Sequence, residues 1–125
     1  MADHAGKGVL IVEDEQELRQ LFAILLEMEG FSVLQADDGK QGLELLEKHA
    51  AEVGLLITDL NLPRVAGMDL IARARLLNPS IKIVGTSGMS GKTVHDMVIK
   101  AGADDFIAKP FKPSEAIAKL KAMLQ

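Results

Sequence analysis

Cysteine, tryptophan and tyrosine are all absent from this 125-residue chain. Without cysteine, disulfides and thiolate metal sites are excluded, and a reducing cytoplasm suits the chain. With only four phenylalanines besides, the core must be largely aliphatic. A basic excess is missing too: 14 Lys and Arg stand against 18 Asp and Glu, for a net charge of −4. That argues against a dedicated nucleic-acid surface, so no direct nucleic-acid partner is expected. No apolar run approaches the roughly 18 residues of a membrane span, and residues 1–7 lack the apolar stretch of a secretion signal. A cytoplasmic location with no membrane contact is therefore expected. Residues 1–7, His4 included, read as a frayed tail, and residues 8–125 as one domain.

What is present is strong punctuation. Leu55-Leu56-Ile57-Thr58 runs straight into Asp59 and then into Leu60-Asn61-Leu62-Pro63, as a buried strand ending in a carboxylate and a turn. Gly8-Val9-Leu10-Ile11-Val12 runs likewise into Glu13-Asp14. Continuous apolarity suits strands buried on both faces. Between them, Leu18, Leu21, Phe22 and Leu25 repeat at helical spacing, with Gly30 as a C′ residue. Residues 31–36 form a second strand, and Asp37-Asp38-Gly39 turns into and caps the next helix. Leu43, Leu46 and Ala50 supply that helix with its buried stripe. A third helix ends near Leu77, before Asn78-Pro79. Residues 81–86 form the fourth strand, and a small-residue loop follows. Val94, Met97, Val98 and Ala101 mark the fourth helix. Residues 104–108 form the fifth strand, and Pro113 opens a last helix reaching about Leu124. Strict alternation of five strands and five helices implies an α/β fold: a parallel sheet with helices on both faces.

Glu13, Asp14 and Asp59 all fall at strand ends. Clustered carboxylates repel, so a site holding them needs a cation. All-oxygen ligands point to Mg²⁺, with Mn²⁺ possible, rather than zinc. Lys109, after the fifth strand, brings a fixed positive charge to the same edge, and Ser87, after the fourth, a hydroxyl. A metal, a lysine, a hydroxyl and a nucleophilic carboxylate are the parts that phosphoryl transfer needs. Taken singly, each residue has an ordinary explanation: a cap, a turn or a solvated charge. Their joint placement at the ends of four parallel strands is what carries weight.

The chain resembles a response-regulator receiver domain of two-component signalling, from Val9 to Leu124. The likeness rests on Val12-Glu13-Asp14-Glu15, Asp59-Leu60-Asn61-Leu62-Pro63 with Gly67, Thr86-Ser87-Gly88, and Ala103-Asp104-Asp105-Phe106-Ile107-Ala108-Lys109-Pro110-Phe111. The resemblance implies a doubly wound five-stranded sheet in the order 2-1-3-4-5. It implies Asp59 as phospho-acceptor and Asp14 as direct metal ligand with Glu13 its partner. It gives Asn61 a backbone-carbonyl contact to the metal, Ser87 and Phe106 the roles of switch residues, and Lys109 a place against the phosphoryl group. Lys109-Pro110 resembles the family's cis peptide bond. The implied partners are a sensor histidine kinase or phosphotransfer protein and an unknown downstream protein. The domain would catalyse only its own phosphoryl transfer and autodephosphorylation.

Departures from the commonest pattern are a Glu-Asp acidic pair, Ser-Gly in place of Thr-Ala, and a Phe106 without a hydroxyl. Met89, two past Ser87, is apolar and expected to orient water poorly. The flavodoxin-like rival needs a phosphate-cradling loop after the first strand, where Glu13-Asp14-Glu15 would repel phosphate, and there is no Trp or Tyr to stack a flavin. An aspartyl phosphohydrolase would usually show an acid at Asn61. A degenerate receiver acting as an unphosphorylated interaction module is the remaining alternative. Both a stand-alone module and a receiver joined to further sequence fit this length. Asp104, Asp105 and Lys119 are candidates for a weak phosphorylation-dependent dimer, with a monomer favoured. His49 and His95 read as solvent-facing.

Overall fold

A computed structural model describes residues 8–62, 65–89 and 91–123. The expectations for residues 1–7, for Pro63 and for the end of the last helix at Leu124 lie outside that range. The elements are β1 (Gly8–Val12), α1 (Gln16–Met28), β2 (Ser32–Ala36), α2 (Gly39–Lys48), β3 (Val53–Asp59), α3 (Gly67–Leu77), β4 (Lys82–Ser87), α4 (Lys92–Ala101), β5 (Asp105–Ala108) and α5 (Pro113–Met123). The sheet is wholly parallel, in the order β2-β1-β3-β4-β5.

Strand side chains alternate between two cores. Leu10, Val12, Leu56 and Ile83 pack with Leu46 of α2, Leu70 and Ile71 of α3 and Val98 of α4. Val9, Ile11, Leu55, Ile57 and Val84 pack with Phe22 and Leu26 of α1 and Ile117 and Leu120 of α5. This is why β1 and β3, in the middle of the sheet, run as nearly continuous apolar stretches: neither of their faces meets water. The strand order reverses between β1 and β3, and α1 and α3 depart to opposite faces. The crevice beyond those strand ends is the place where open α/β sheets hold ligands.

The caps follow the local sequence. Gly30 adopts φ +98°. Its N–H donates to the Glu27 carbonyl and that of Phe31 to the Leu26 carbonyl, at 3.0 and 3.1 Å. These are the two bonds of a Schellman ending, and Leu26 and Phe31 are buried in the same core. Asp38 caps α2 by accepting from the Gln41 N–H at 2.7 Å.

Three helix faces differ from the periodicity reading. In α1 the buried residues are Phe22, Ala23 and Leu26, whereas Leu21 is 44% exposed. Of the expected Leu18, Leu21, Phe22 and Leu25, only Leu21 falls outside: Phe22 is buried, and Leu18 and Leu25 pack half-buried against the core that Ala23 and Leu26 extend. In α2 the helix ends at Lys48, so Ala50 lies beyond it; Gly39, Gly42 and Leu46 face inward. A Cβ on Gly42 would come within 2.8 Å of Val12, so a glycine allows this close approach. In α4 only Val98 is buried, and Met97 is 55% exposed.

The charges read as a dimer set are used within the chain. Asp104 Oδ2 accepts from Arg75 Nη2 at 2.9 Å and from the Ile83 N–H at 2.8 Å, and Asp105 pairs with Lys119 at 3.2 Å. Arg75 also donates to the carbonyls of Gly102, Pro79 and Ile81. It ties the end of α3 to the starts of β4 and β5. Charge-assisted bonds contribute about 1.5–3 kcal/mol each before correlation among them. Arg75→Ala is therefore expected to cost about 2–3 kcal/mol, read as a melting point lower by roughly 5–10 °C.

Candidate functional site

The register builds the site row by row. Val12 pairs with Thr58 across β1 and β3, so Glu13 and Asp59 leave neighbouring strands at one level. Asp59 pairs with Thr86, and Ser87 with Ala108. The Lys109 N–H then donates to the Ser87 carbonyl at 2.7 Å. Ligating oxygens of Glu13, Asp14 and Asp59 all lie within 4.8 Å of one another. Glu13 and Asp59 are buried and Asp14 is exposed. Three convergent carboxylates, one facing solvent, fit a hard divalent cation with an open path of entry.

Lys109 is the counter-charge. Its Nζ lies 2.7 Å from Glu13 Oε1 and 2.8 Å from Asp59 Oδ2, with Glu15 farther off at 3.9 Å. Burial alone would lower the lysine pKa; the hydrogen bonds to Asp59 and Glu13 outweigh it and hold the ammonium above its ordinary value. Burial pushes the Glu13 carboxyl up, against the pull of Lys109 and the Glu15 N–H. One cation thus stands between two buried acids.

Both Asp59 oxygens are engaged. Oδ1 accepts from the Asn61 N–H at 2.9 Å, and Oδ2 from Lys109. Ser87 is fully buried, and its Oγ accepts from the Met89 N–H at 3.0 Å. Among the described residues nothing accepts the Ser87 hydroxyl proton. Phe106 is packed in the core with α4 and stands edge-on to His95, ring centroids 6.4 Å apart at 84°. His95 is exposed but touches this ring, and His49 pairs with Glu52 at 3.4 Å. The Lys109–Pro110 bond is cis. An open groove of about 500 Å³ beside Lys109 is lined by Glu15, Leu18, Gly88, Pro110 and Phe111.

The structure therefore brings Glu13, Asp14, Asp59 and Lys109 together and sets the Asn61 main chain against Asp59. Ser87 lies one row along, and Phe106 lies deeper, in the core. One neighbour carries no sequence signal. Arg19, on α1, donates to the Glu13 carbonyl at 2.9 Å, yet a lone arginine in an amphipathic helix reads as part of a solvated face.

Comparison with known proteins places the chain in a family. The family model described as a response regulator receiver domain matches residues 9–121. The transcriptional regulatory protein CpxR of Escherichia coli K12 is 36% identical over 117 residues, covering 94% of this chain and 49% of its own. The chain spans about half the length of the curated relatives it matches. A CheY-like receiver domain protein from Methanospirillum hungatei superposes with a TM-score of 0.85 at 31% identity, over 94% of this chain and 93% of that one. A response regulator from Burkholderia pseudomallei, solved with a phosphorylated aspartic acid, calcium ion and citrate, gives 0.82 at 28% identity, over 94% and 68%. With the same strand order, an acidic strand-end cluster and a match along nearly its whole length, the chain belongs to the response regulator receiver domain family.

Proposed function

We propose that this receiver takes a phosphoryl group from a sensor histidine kinase or phosphotransfer protein onto Asp59, and that the acyl phosphate switches a surface read by a downstream protein. The observation that carries this is the Lys109 ammonium held between Asp59 and Glu13 beside an exposed Asp14. Asp14, Asp59, Glu13 and the Asn61 carbonyl would hold a divalent cation, Mg²⁺ or Mn²⁺, which when bound supplies positive charge against the phosphoryl oxygens. The groove beside Lys109 gives the donor its approach.

The Asn61 N–H keeps Oδ1 of Asp59 in place, leaving Oδ2, held only by a side-chain ammonium, to attack phosphorus. The bond from phosphorus to the donor breaks, and its electron pair leaves with the donor. Lys109 follows the new charge, from the carboxylate to a phosphoryl oxygen, and the Ser87 O–H donates to another. Movement of Ser87 and its loop alters the space next to Phe106 and α4. Phosphorylation thereby biases the surface of α4, β5 and α5. Curated relatives about twice this length are transcriptional regulatory proteins, so control of transcription, through further sequence or a partner, is the output this reading favours. No described helix is long and apolar enough to cross a membrane, which suits action in the cytoplasm.

Intact mass after incubation with a small phospho-donor and Mg²⁺ tests the acceptor. One phosphoryl adduct is expected in wild type and none in Asp59→Asn or with the metal chelated. An adduct persisting in Asp59→Asn refutes Asp59. No adduct from either a small donor or a kinase would favour an unphosphorylated interaction module. Met89 is 57% exposed and offers no polar group to a water. Met89→Glu is expected to shorten the phosphoryl lifetime severalfold, measured as decay of the adduct; an unchanged decay would show that this position does not govern water.

A further inference from the structure

We infer that Arg19 is a positioning residue for the metal ligands: by holding the Glu13 carbonyl it fixes the peptide plane that carries Asp14. The inference rests on the phospho-acceptor reading, since it concerns the cation which that reading needs.

Arg19 sits near the start of α1, its own N–H bonded to the Glu15 carbonyl at 3.0 Å. Nη1 donates to the Glu13 carbonyl at 2.9 Å, and Nε to Gln35 Oε1 at 3.3 Å. Glu13, Asp14, Glu15 and Glu17 are all close in sequence, yet among the described residues Arg19 makes no ion pair. A guanidinium spent on a carbonyl and an amide, in a segment so rich in carboxylates, orients the chain more than it neutralises charge.

The end of β2 is the anchor. The Glu13 N–H donates to the Ala36 carbonyl at 3.0 Å. The next peptide group is tied to Gln35, through Arg19. Both peptide planes flanking Glu13 are thus referred to the same strand end. The Glu13 side chain is held as well, by the Glu15 N–H at 3.0 Å and by Lys109. Asp14 differs. Its side chain is exposed, and among the described residues nothing hydrogen-bonds or ion-pairs with its carboxylate. Only the backbone aims it. The 13–14 peptide is the last plane before its Cα, so rotating that plane would swing the carboxylate away from Glu13 and Asp59.

Two effects of Arg19 on a bound cation oppose each other. Its charge repels the cation, and its hydrogen bond assembles the ligands. Substitution separates them by sign. The experiment is Mn²⁺ binding to the full chain, read from the paramagnetic resonance of free Mn²⁺, with the metal-free melting temperature alongside. Arg19→Ala is expected to weaken Mn²⁺ about tenfold, the lower end for groups that orient metal ligands, while the metal-free protein melts nearly as wild type does. Arg19→Lys, able to reach the carbonyl but not Gln35 as well, is expected to recover part of the loss. Equal or tighter binding by Arg19→Ala overturns the inference, tighter binding meaning that repulsion prevails. Should Arg19→Ala fail to fold, Gln35→Ala and Arg19→Lys decide: a smaller weakening in both supports the role, and unchanged affinity in both overturns it. A wild type that binds no Mn²⁺ brings down the phospho-acceptor reading too; a wild type that binds it, matched by Arg19→Ala, removes only Arg19.

Discussion

Lys109→Ala is expected to destabilise the metal-free protein by about 3–5 kcal/mol, the range for removing one partner of a buried ion pair. For a domain of this size that is a melting point lower by roughly 10–20 °C. The reason lies in the counting of charges. Glu13 and Asp59 are both buried, and the one ammonium contacts each of them at under 3 Å. Alanine leaves two desolvated acids facing each other with no cation between them. A divalent ion would fill that role, so Mg²⁺ should restore much of the loss: about 2.7 kcal/mol at a hundred times its dissociation constant. In wild type Lys109 already answers the charge of the two acids, so the ion's stabilising effect should be smaller than in the variant. Asp59→Asn removes one of the two acids and leaves Lys109 paired with Glu13, so it should cost little. Urea unfolding of the three proteins with and without Mg²⁺ measures all of this. A loss below about 1 kcal/mol for Lys109→Ala, or a Mg²⁺ effect no larger than in wild type, would contradict the account. Wild type should show the same dependence by titration. The folded pKa of Lys109 lies above its ordinary 10.5, so the native state keeps this proton more tightly than the unfolded chain does. The contribution is complete below 10.5 and is lost as pH rises through the higher folded value.

The fold and the candidate site were legible to different depths. The strands declare themselves because β1, β3 and β4 are buried on both faces, which leaves unbroken apolar runs ending in polar residues. Gly30 and Asp38 mark helix ends through local geometry alone. The carboxylates and Lys109 were legible because parallel topology carries the ends of all strands to one edge. Helix faces were harder: Leu21 and Met97 are apolar residues that the fold leaves outside. Contacts between distant segments left no trace in the sequence. Arg75 reaches Gly102 and Asp104, nearly thirty positions away, and nothing in the pattern around either residue announces the other. The same applies to Asp105 and Lys119, which pair with each other within the chain.

Gly67→Ala is the second change with a large expected effect, although alanine usually favours a helix. Gly67 is the first residue of α3, and its N–H donates to the Leu60 carbonyl at 3.2 Å. A Cβ there would overlap the Asp59 carbonyl oxygen and lie 2.6 Å from Leu60 Cα and 2.9 Å from the Asp59 carbonyl carbon. All three are main-chain atoms, so no side-chain rotation relieves the contact. Helix propensity would favour alanine by up to about 1 kcal/mol. Forcing an extra carbon into a packed site costs about 1–3 kcal/mol and more where backbone must move, so the net change is a loss of stability. The larger consequence is local. The atoms pushed aside belong to Asp59 and Leu60, which set both the carboxylate proposed as acceptor and the Asn61 N–H that holds its Oδ1. A displacement of about 1 Å at reacting atoms can lower a rate on the order of a hundredfold. Gly67→Ala should therefore slow phosphoryl uptake from a small donor by about that factor, with a smaller drop in melting temperature. Gly88→Ala is the steric control: a Cβ there meets nothing within 4 Å, so this variant should melt close to wild type. If Gly67→Ala instead melts higher and takes up phosphoryl at the wild-type rate, the loop after β3 tolerates the shift and the close approach of α3 to Asp59 is not what holds the acceptor in place.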